Sequence, residues 1–479
     1  MTDDEASWID QLSAVIAPDR ITVNGADLDA HSYDWWPVAV KWRRQGKRPF
    51  APEAVVRPHT IDEVSRVLRW ASERGIPVTP WGAGSSVTGA PLAMTGGISL
   101  DLLALNRLLV LDETNLLVKV QAGTMGHHLE AELNERGYTL NHSPQSLDRS
   151  TVGGWVATRA TGQFSSRWGG IEDLLVALTV VLPTGETVAS ILAPRASLGP
   201  DLCQLFIGAE GTLGVVVEVT LKIFPTAPAR VFDTLRFPTV AAGLQAMRKI
   251  MRAGLRPFLL RFYDEDESRY AVRDAAYSAH FAGCAMFLGS EGLEPVARAE
   301  QTACLEICLA EGAELLGPDA ALGWMGRRFD FSTVENLLAE PGGVAETIEV
   351  AHFWDSIEPT YRALKEALAP LADHVLCHFS HTYPQGTSLY VILLGHTDDD
   401  AAAEAGLERI WAVAMEVALG EGAAISHHHG VGLARLPYLH RNLGSGMKVL
   451  ERIKTALDPA GIMSPGKLGL PKPSQQAPS

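Results

Sequence analysis

Hydrophobic positions along the chain repeat with two periods, and the switches between them mark the elements. Ala54-Val55-Val56 reads as a short strand, and in the following Thr60-Ile61-Asp62-Glu63 the Thr60–Glu63 spacing is that of a capping box. Ile61, Val64, Val67, Leu68 and Ala71 then fall on one helical face, and Gly75 supplies the stop. Ile76-Pro77-Val78-Thr79 reads as a second strand, so strand, helix, strand and glycine loop together predict a βαβ unit. Residues 98–122 are rich in branched side chains, and 126–136 have helical spacing with Gly137 behind them. Residues 178–182, the turn Pro183-Thr184-Gly185, and Thr187-Val188 predict a hairpin. Residues 215–224 put Glu218, Thr220 and Lys222 on one face of a half-buried strand.

At Pro225-Thr226-Ala227-Pro228 the composition shifts, and a new α+β pattern begins: strand 231–237, helix 240–253, strand 258–262. An alanine-rich helix is predicted over 400–419. Residues 425–468 are punctuated by glycine and are expected to return to the first domain. The Pro/Ser/Gln-rich tail 471–479 is expected to fray. The first 47 residues, with Trp35, Trp36 and Trp42, read as an arm packed on a domain. The expected organisation is therefore arm 1–47, first domain 48–226, inserted domain 227–424 and returning segment 425–479. A length of 479 residues suits about three packing units.

Charge narrows the function. Lys and Arg number 40 against 56 Asp and Glu, a net −16 that argues against nucleic acid or an anionic membrane as partner. It leaves room for a local basic pocket that takes a small anion. The opening Met1-Thr2-Asp3-Asp4-Glu5 is unlike a basic signal peptide, and no apolar run reaches the ~18 residues of a transmembrane helix. A cytoplasmic protein is expected, with a homodimer as one option. Cys203, Cys284, Cys304, Cys308 and Cys377 are too scattered for a disulfide framework and read as reduced, buried thiols.

Three glycine-rich segments carry the chemistry. The first is Pro80-Trp81-Gly82-Ala83-Gly84-Ser85-Ser86-Val87-Thr88-Gly89. Its glycines let consecutive N–H groups close on phosphate oxygens, yet it has neither the Gly-Lys-Ser/Thr of a P-loop nor a Rossmann fingerprint. The second runs from Pro144 to Gly162 and the third from Ile207 to Val216. Three such segments within one region point to an extended ligand, such as a dinucleotide, threaded between backbones.

These segments, with Ile-Glu-Asp-Leu-Leu-Val at 171–176 and Ser-His-His-His-Gly-Val-Gly at 426–432, resemble the vanillyl-alcohol oxidase / p-cresol methylhydroxylase superfamily of flavoenzymes. Within it the chain is most similar to the alkylglycerone-phosphate synthase branch, over about residues 34–468. The resemblance implies an α+β fold: a two-subdomain FAD-binding domain interrupted by an α+β cap that covers the flavin. Pro80, Gly82, Ala83, Gly84, Ser85 and Ser86 would hold the pyrophosphate. Asp148, Ser150, Thr151, Gly153, Gly154, Thr158, Ala160, Gly162, Glu210, Gly214 and Val216 would hold the flavin and its ribityl chain. The first loop lacks the histidine through which some members attach FAD, so FAD is expected to be non-covalent.

Three adjacent imidazoles are chemically versatile, each a potential base, donor or ligand. The resemblance makes His428 the catalytic base, flanked by His427 and His429, and Tyr390 a catalytic phenol. Arg261 matches an active-site arginine of the branch. A second arginine, for the substrate phosphate, is not matched: Glu335 stands near its position, with Arg327 and Arg328 close by. The related 2-hydroxy-acid dehydrogenases bind a metal with two His and an acid. Here only His381 fits, Tyr390 and His428 replacing the others, so no metal is expected. The implied function is FAD-dependent oxidation of a small hydroxylated anion by hydride transfer to flavin N5. The alternatives are a synthase-type transfer without net redox and a non-catalytic flavin-binding scaffold. His381 is the runner-up base.

Overall fold

The computed structural model describes residues 8–272 and 281–471. Met1–Glu5 and, but for Pro471, the tail expected to fray lie outside them. Two sheets and a two-stranded ribbon, Tyr138–Thr139 with Phe224–Pro225, build the first half of the molecule. The βαβ reading holds: Ala54–Val56 and Val78–Trp81 both pair in parallel with Ile98–Asp101, which lies between them. Helix Ile61–Arg74 connects the two outer strands, with both bonds of the Thr60–Glu63 capping box made and Gly75 left-handed behind it. The second sheet is antiparallel, in the order Leu108–Asp112, Leu117–Gln121, Val215–Lys222, Leu175–Val181, Thr187–Ala189. The last two strands are the expected hairpin.

A seven-stranded antiparallel sheet forms the other half. Its order is Glu314–Gly317, Ala229–Phe237, Cys284–Gly292, Leu259–Tyr263, His374–Thr382, Gly386–His396, Gly343–Phe353. Val240–Arg252, Glu294–Ala310, Ile357–Leu368 and Asp400–Gly420 supply side chains to one large core with this sheet. Alternation along Gly386–His396 shows why a single strand serves two purposes. Leu389, Val391 and Leu393 are wholly buried in that core, while Tyr390, Ile392 and Leu394 point into a cavity on the opposite face.

Residues 8–47 do more than pack on one domain. Ile21–Thr22 adds an antiparallel strand beside Ala54–Val56, whereas helix Pro37–Arg44 lies against Asp400–Gly420 of the second half. Trp36 and Trp42 meet edge-on in the cap core, and buried Lys41 donates to the carbonyls of Leu338 and Glu340 and to Asp400. The aromatic cluster is thus a tie between halves. The chain end also returns: Ile462 and Met463 join the core of the parallel sheet, and Ser464 N–H donates to the Val78 carbonyl. All five cysteines are buried and free.

Candidate active site

A cavity of about 490 Å³ lies between the paired sheets and the cap sheet, within the usual size of a cofactor or substrate site. One end is walled by the three glycine segments. Pro80, Gly82, Ala83, Gly84, Ser85, Ser86, Ser150, Thr151, Gly153, Gly154, Thr158, Ala160, Glu210, Gly214 and Val216 all line it. Two expected residues do not. Asp148 points to solvent and pairs with Arg149, and Gly162 packs on the Ser143 backbone, where a Cβ would stand 2.4 Å from the amide nitrogen.

The cradle suits an extended ligand. A Cβ on Gly82 would meet Thr151 Oγ1 at 2.6 Å, and one on Gly84, at φ +66°, would meet the Trp81 ring at 2.5 Å. Only bare backbone fits there, and bare backbone is what lets N–H groups approach phosphate oxygens. The loop is pinned from behind. Asp34 accepts the N–H groups of Trp36 and Gly89, and buried Lys467 donates to the Gly89 carbonyl. Thr88 O accepts from Leu433 and Ala434, which ties the loop to the segment after the histidine triplet. Glu210, assigned to the cofactor, also accepts the N–H groups of Val431 and Gly432. Burial pushes its carboxyl up.

The other end is polar. Arg261 Nη2 donates to His378 Nε2 at 2.7 Å, and its Nε donates to Tyr263 Oη at 2.8 Å. A guanidinium only donates, so His378 must carry its proton on Nδ1, which lies 2.8 Å from both oxygens of Glu267. The His378 ring stacks on Tyr390 at 4.7 Å, and Tyr390 lies 6.0 Å from His428 at a small interplanar angle. Burial raises the Tyr390 phenol to about 12, so it stays protonated. Arg261 makes no ion pair with a carboxylate among the described residues, and its charge faces the cavity. Arg327, Arg328 and Glu335 all line the same cavity, and Glu335 is bound to Arg149, another lining residue, at 2.6 Å.

The triplet is held by two buried groups that sequence reasoning missed. Glu349, opposite Tyr390 in the neighbouring strand, accepts the N–H groups of His427 and His429 and the Ser426 hydroxyl. Arg435 Nη2 donates to Glu349 at 3.0 Å, and its other nitrogens donate to the Ile425 and Gly430 carbonyls. Burial alone would raise the Glu349 carboxyl, but Arg435 holds it below the usual range. His428 and His429 line the cavity, while His427 sits behind them, its Nε2 2.9 Å from Tyr383 Oη. Burial holds the His428 ring well below the ordinary histidine range, reinforced by its histidine neighbours, and holds His429 near 4.

His381 occupies a bulge of its strand at φ +54°, the left-handed region that a non-glycine residue enters only when its surroundings enforce it. The turn aims its ring at His427 and His428, and Ser165 Oγ holds its Nδ1 at 2.8 Å. His381, His427 and His428 each bring one ring nitrogen within 4.8 Å of the others, a spacing that would admit a metal ion. No carboxylate joins this set among the described residues, and the His427 and His428 Nδ1 atoms already lie 3.0 Å apart, sharing a proton.

Fold and cavity together define a flavin-dependent enzyme. Residues 52–190 match the FAD binding domain model and residues 226–468 the model of the FAD linked oxidases' C-terminal domain. The chain belongs to the FAD-linked oxidase family, and its cofactor is FAD. It is 32% identical to an alkyldihydroxyacetonephosphate synthase of Caenorhabditis elegans, over 89% of this chain and 77% of that one. It is 29% identical to a D-lactate dehydrogenase of Anaerostipes hadrus, over 95% of each chain. Solved structures of an alkyldihydroxyacetonephosphate synthase (TM-score 0.81, 23% identity, 98% and 86% covered) and of p-cresol methylhydroxylase (0.79, 14%, 97% and 96%) share the fold. The expected α+β architecture of that type is thus the observed one. No helix among the described residues is long and apolar enough to cross a membrane.

Proposed function

We propose that this enzyme oxidises the hydroxyl-bearing carbon of a small anionic substrate of the 2-hydroxy-acid kind. The observation that carries the reading is the Arg261 guanidinium, free of any carboxylate ion pair among the described residues. It lines the same cavity as Tyr390, His428 and the glycine cradle, and donates to His378, whose ring stacks on Tyr390. Bound FAD supplies the acceptor for the carbon's hydrogen and electron pair. Arg261 clamps the substrate carboxylate, as a planar guanidinium does well. His428 takes the hydroxyl proton, and the Tyr390 phenol orients the oxygen. Glu267 and His378 fix the Arg261 fork from behind.

A synthase-type transfer is the second reading, favoured by Arg327 and Arg328 in the same cavity, where a phosphate could replace a carboxylate. Anaerobic mixing with D-lactate, glycolate and longer 2-hydroxy acids separates the two. Loss of flavin colour supports oxidation; unchanged colour across the panel, with turnover of an acylglycerone phosphate, overturns it.

Three further outcomes are expected. The purified protein is yellow, and acid precipitation frees all the flavin as FAD, because the pyrophosphate loop has no histidine and no cysteine lines the cavity. Colour retained by the precipitated chain would show a covalent bond. Activity is expected to survive exhaustive chelation, since Tyr390 and His428 stand where the related dehydrogenases' second His and acid would be; loss of activity that stoichiometric zinc restores would reverse this. Third, the rate of flavin reduction does not fall as pH drops from 7.5 to 6. A base whose pKa lies well below 6.5 stays unprotonated over that interval, so the acid limb of a rate profile should lie lower. A limb centred near 6.5 would assign the base to a solvated ring.

A further inference from the structure

A second pocket of about 420 Å³ is lined among others by Ser165, Trp168, Arg256 and by Thr382 and Tyr383, which follow the cavity-lining His381 in the chain. A continuous file of hydrogen-bonding side chains runs from a residue of the first to a residue of the second. His428 faces the catalytic cavity, and its Nδ1 lies 3.0 Å from His427 Nδ1. His427 Nε2 lies 2.9 Å from Tyr383 Oη, and Tyr383 lines the second pocket. Ser165, whose Oγ is a hydrogen-bond partner of that phenol, lines the same pocket and holds His381. Nothing in the oxidation itself uses Tyr383 or the second pocket.

We propose that His427 and Tyr383 are positioning residues that relay the charge taken up by His428 out to the second pocket while the substrate is being oxidised. The inference rests on the oxidation proposed above. Direction follows from the chemistry of each atom. For His428 to act as base its cavity-facing Nε2 must be bare, so its proton sits on Nδ1 and is donated to His427 Nδ1. His427 then carries its proton on Nε2 and donates it to Tyr383 Oη, which leaves the phenol hydrogen free to be donated to Ser165 Oγ or to water in the second pocket. When Nε2 takes the substrate's hydroxyl proton, each member passes one proton on, and one emerges at the second pocket. The carbon's hydrogen leaves with its electron pair to the flavin, and the substrate becomes a carbonyl compound. No extra oxidant or base is consumed. After product leaves, cavity water takes the Nε2 proton and one proton re-enters from the second pocket to restore both tautomers, so the file holds the charge outside the cavity only while the cavity is closed. The gain is electrostatic: burial disfavours an imidazolium at His428, and the file spares the closed cavity that charge.

Tyr383→Phe removes one oxygen and keeps the ring. Long-range proton–nitrogen spectra of the FAD-loaded protein labelled with [15N]histidine, assigned with single-histidine variants, should show His428 as the Nδ1–H form. In the variant that preference should be lost. With a 2-hydroxy acid that bleaches the wild type, the variant's limiting bleaching rate should fall about 10–100-fold, less than the roughly 10²–10⁴-fold of a lost base because His428 itself remains. Apparent substrate affinity and FAD content should be unchanged, and millimolar imidazole should restore part of the rate by ferrying protons in the second pocket. Identical tautomers in the two proteins would overturn the relay. So would an unslowed variant, or slowing that imidazole does not relieve. If no hydroxy acid bleaches the wild type, the oxidation reading fails on its own, and the tautomer comparison alone decides whether Tyr383 sets the direction of the file.

Discussion

His428→Ala is expected to lower the rate of flavin reduction by a hydroxylated substrate about 10²–10⁴-fold, the scale of a lost general base. FAD should remain bound, because the glycine cradle and its supports at Asp34 and Lys467 do not depend on the His428 ring. The neighbouring rings do not replace it: His427 lies behind, committed to Tyr383, and His429 lies 3.7 Å from Glu349. Tyr390→Phe tests its partner. The ring would keep its stack on His378, so a comparable fall would place the phenol oxygen in the reaction, whereas near-normal turnover would assign Tyr390 to packing. Near-normal turnover in both variants, with FAD bound, would move the base to His381.

Glu349→Ala is expected to be the most destabilising single change near the site. Glu349 and Arg435 are both completely buried, and removing one leaves the other charge without its partner, typically about 3–5 kcal/mol. The variant also loses the acceptor for the His427 and His429 N–H groups, so the triplet should lose its geometry. A lower thermal midpoint and loss of flavin reduction are expected together, measured on wild type and variant under one scan protocol. Glu349→Gln keeps an oxygen acceptor and should retain more of both properties. A Glu349→Ala protein with wild-type midpoint and activity would show that the turn is held by its backbone alone.

How much of this was legible in sequence depends on how local the determinant is. The Thr60–Glu63 capping box, the 178–188 hairpin and the helix starting at Val240 are fixed by neighbours a few residues apart, and they stand where the pattern put them. The cap sheet's strand order is not local: Leu259–Tyr263 pairs with His374–Thr382 across more than a hundred residues. The same holds for the site. The triplet, Tyr390 and Arg261 were visible, but the file Arg261–His378–Glu267 joins residues 117 and 111 apart. Its one sequence signal was the polar alternation His378, Ser380 after the apolar run Val375-Leu376-Cys377. Glu349 gave a similar signal, an acid between Ile348 and Val350. Asp148 was misplaced because proximity to a glycine segment does not say which way a side chain points. Residues 8–47 were misjudged because the strand they add is only two residues long, Ile21–Thr22.

The most direct measurement is a single anaerobic turnover in which flavin bleaching and product are counted together. Holoenzyme mixed with the best 2-hydroxy acid of the panel should lose its flavin colour and yield one 2-oxo acid per flavin reduced, with Arg261→Gln weakening apparent substrate affinity. Flavin that stays oxidised with every hydroxy acid, while the enzyme exchanges the acyl group of an acylglycerone phosphate for an alcohol, would contradict oxidation and assign the Arg261–His428 cavity to group transfer.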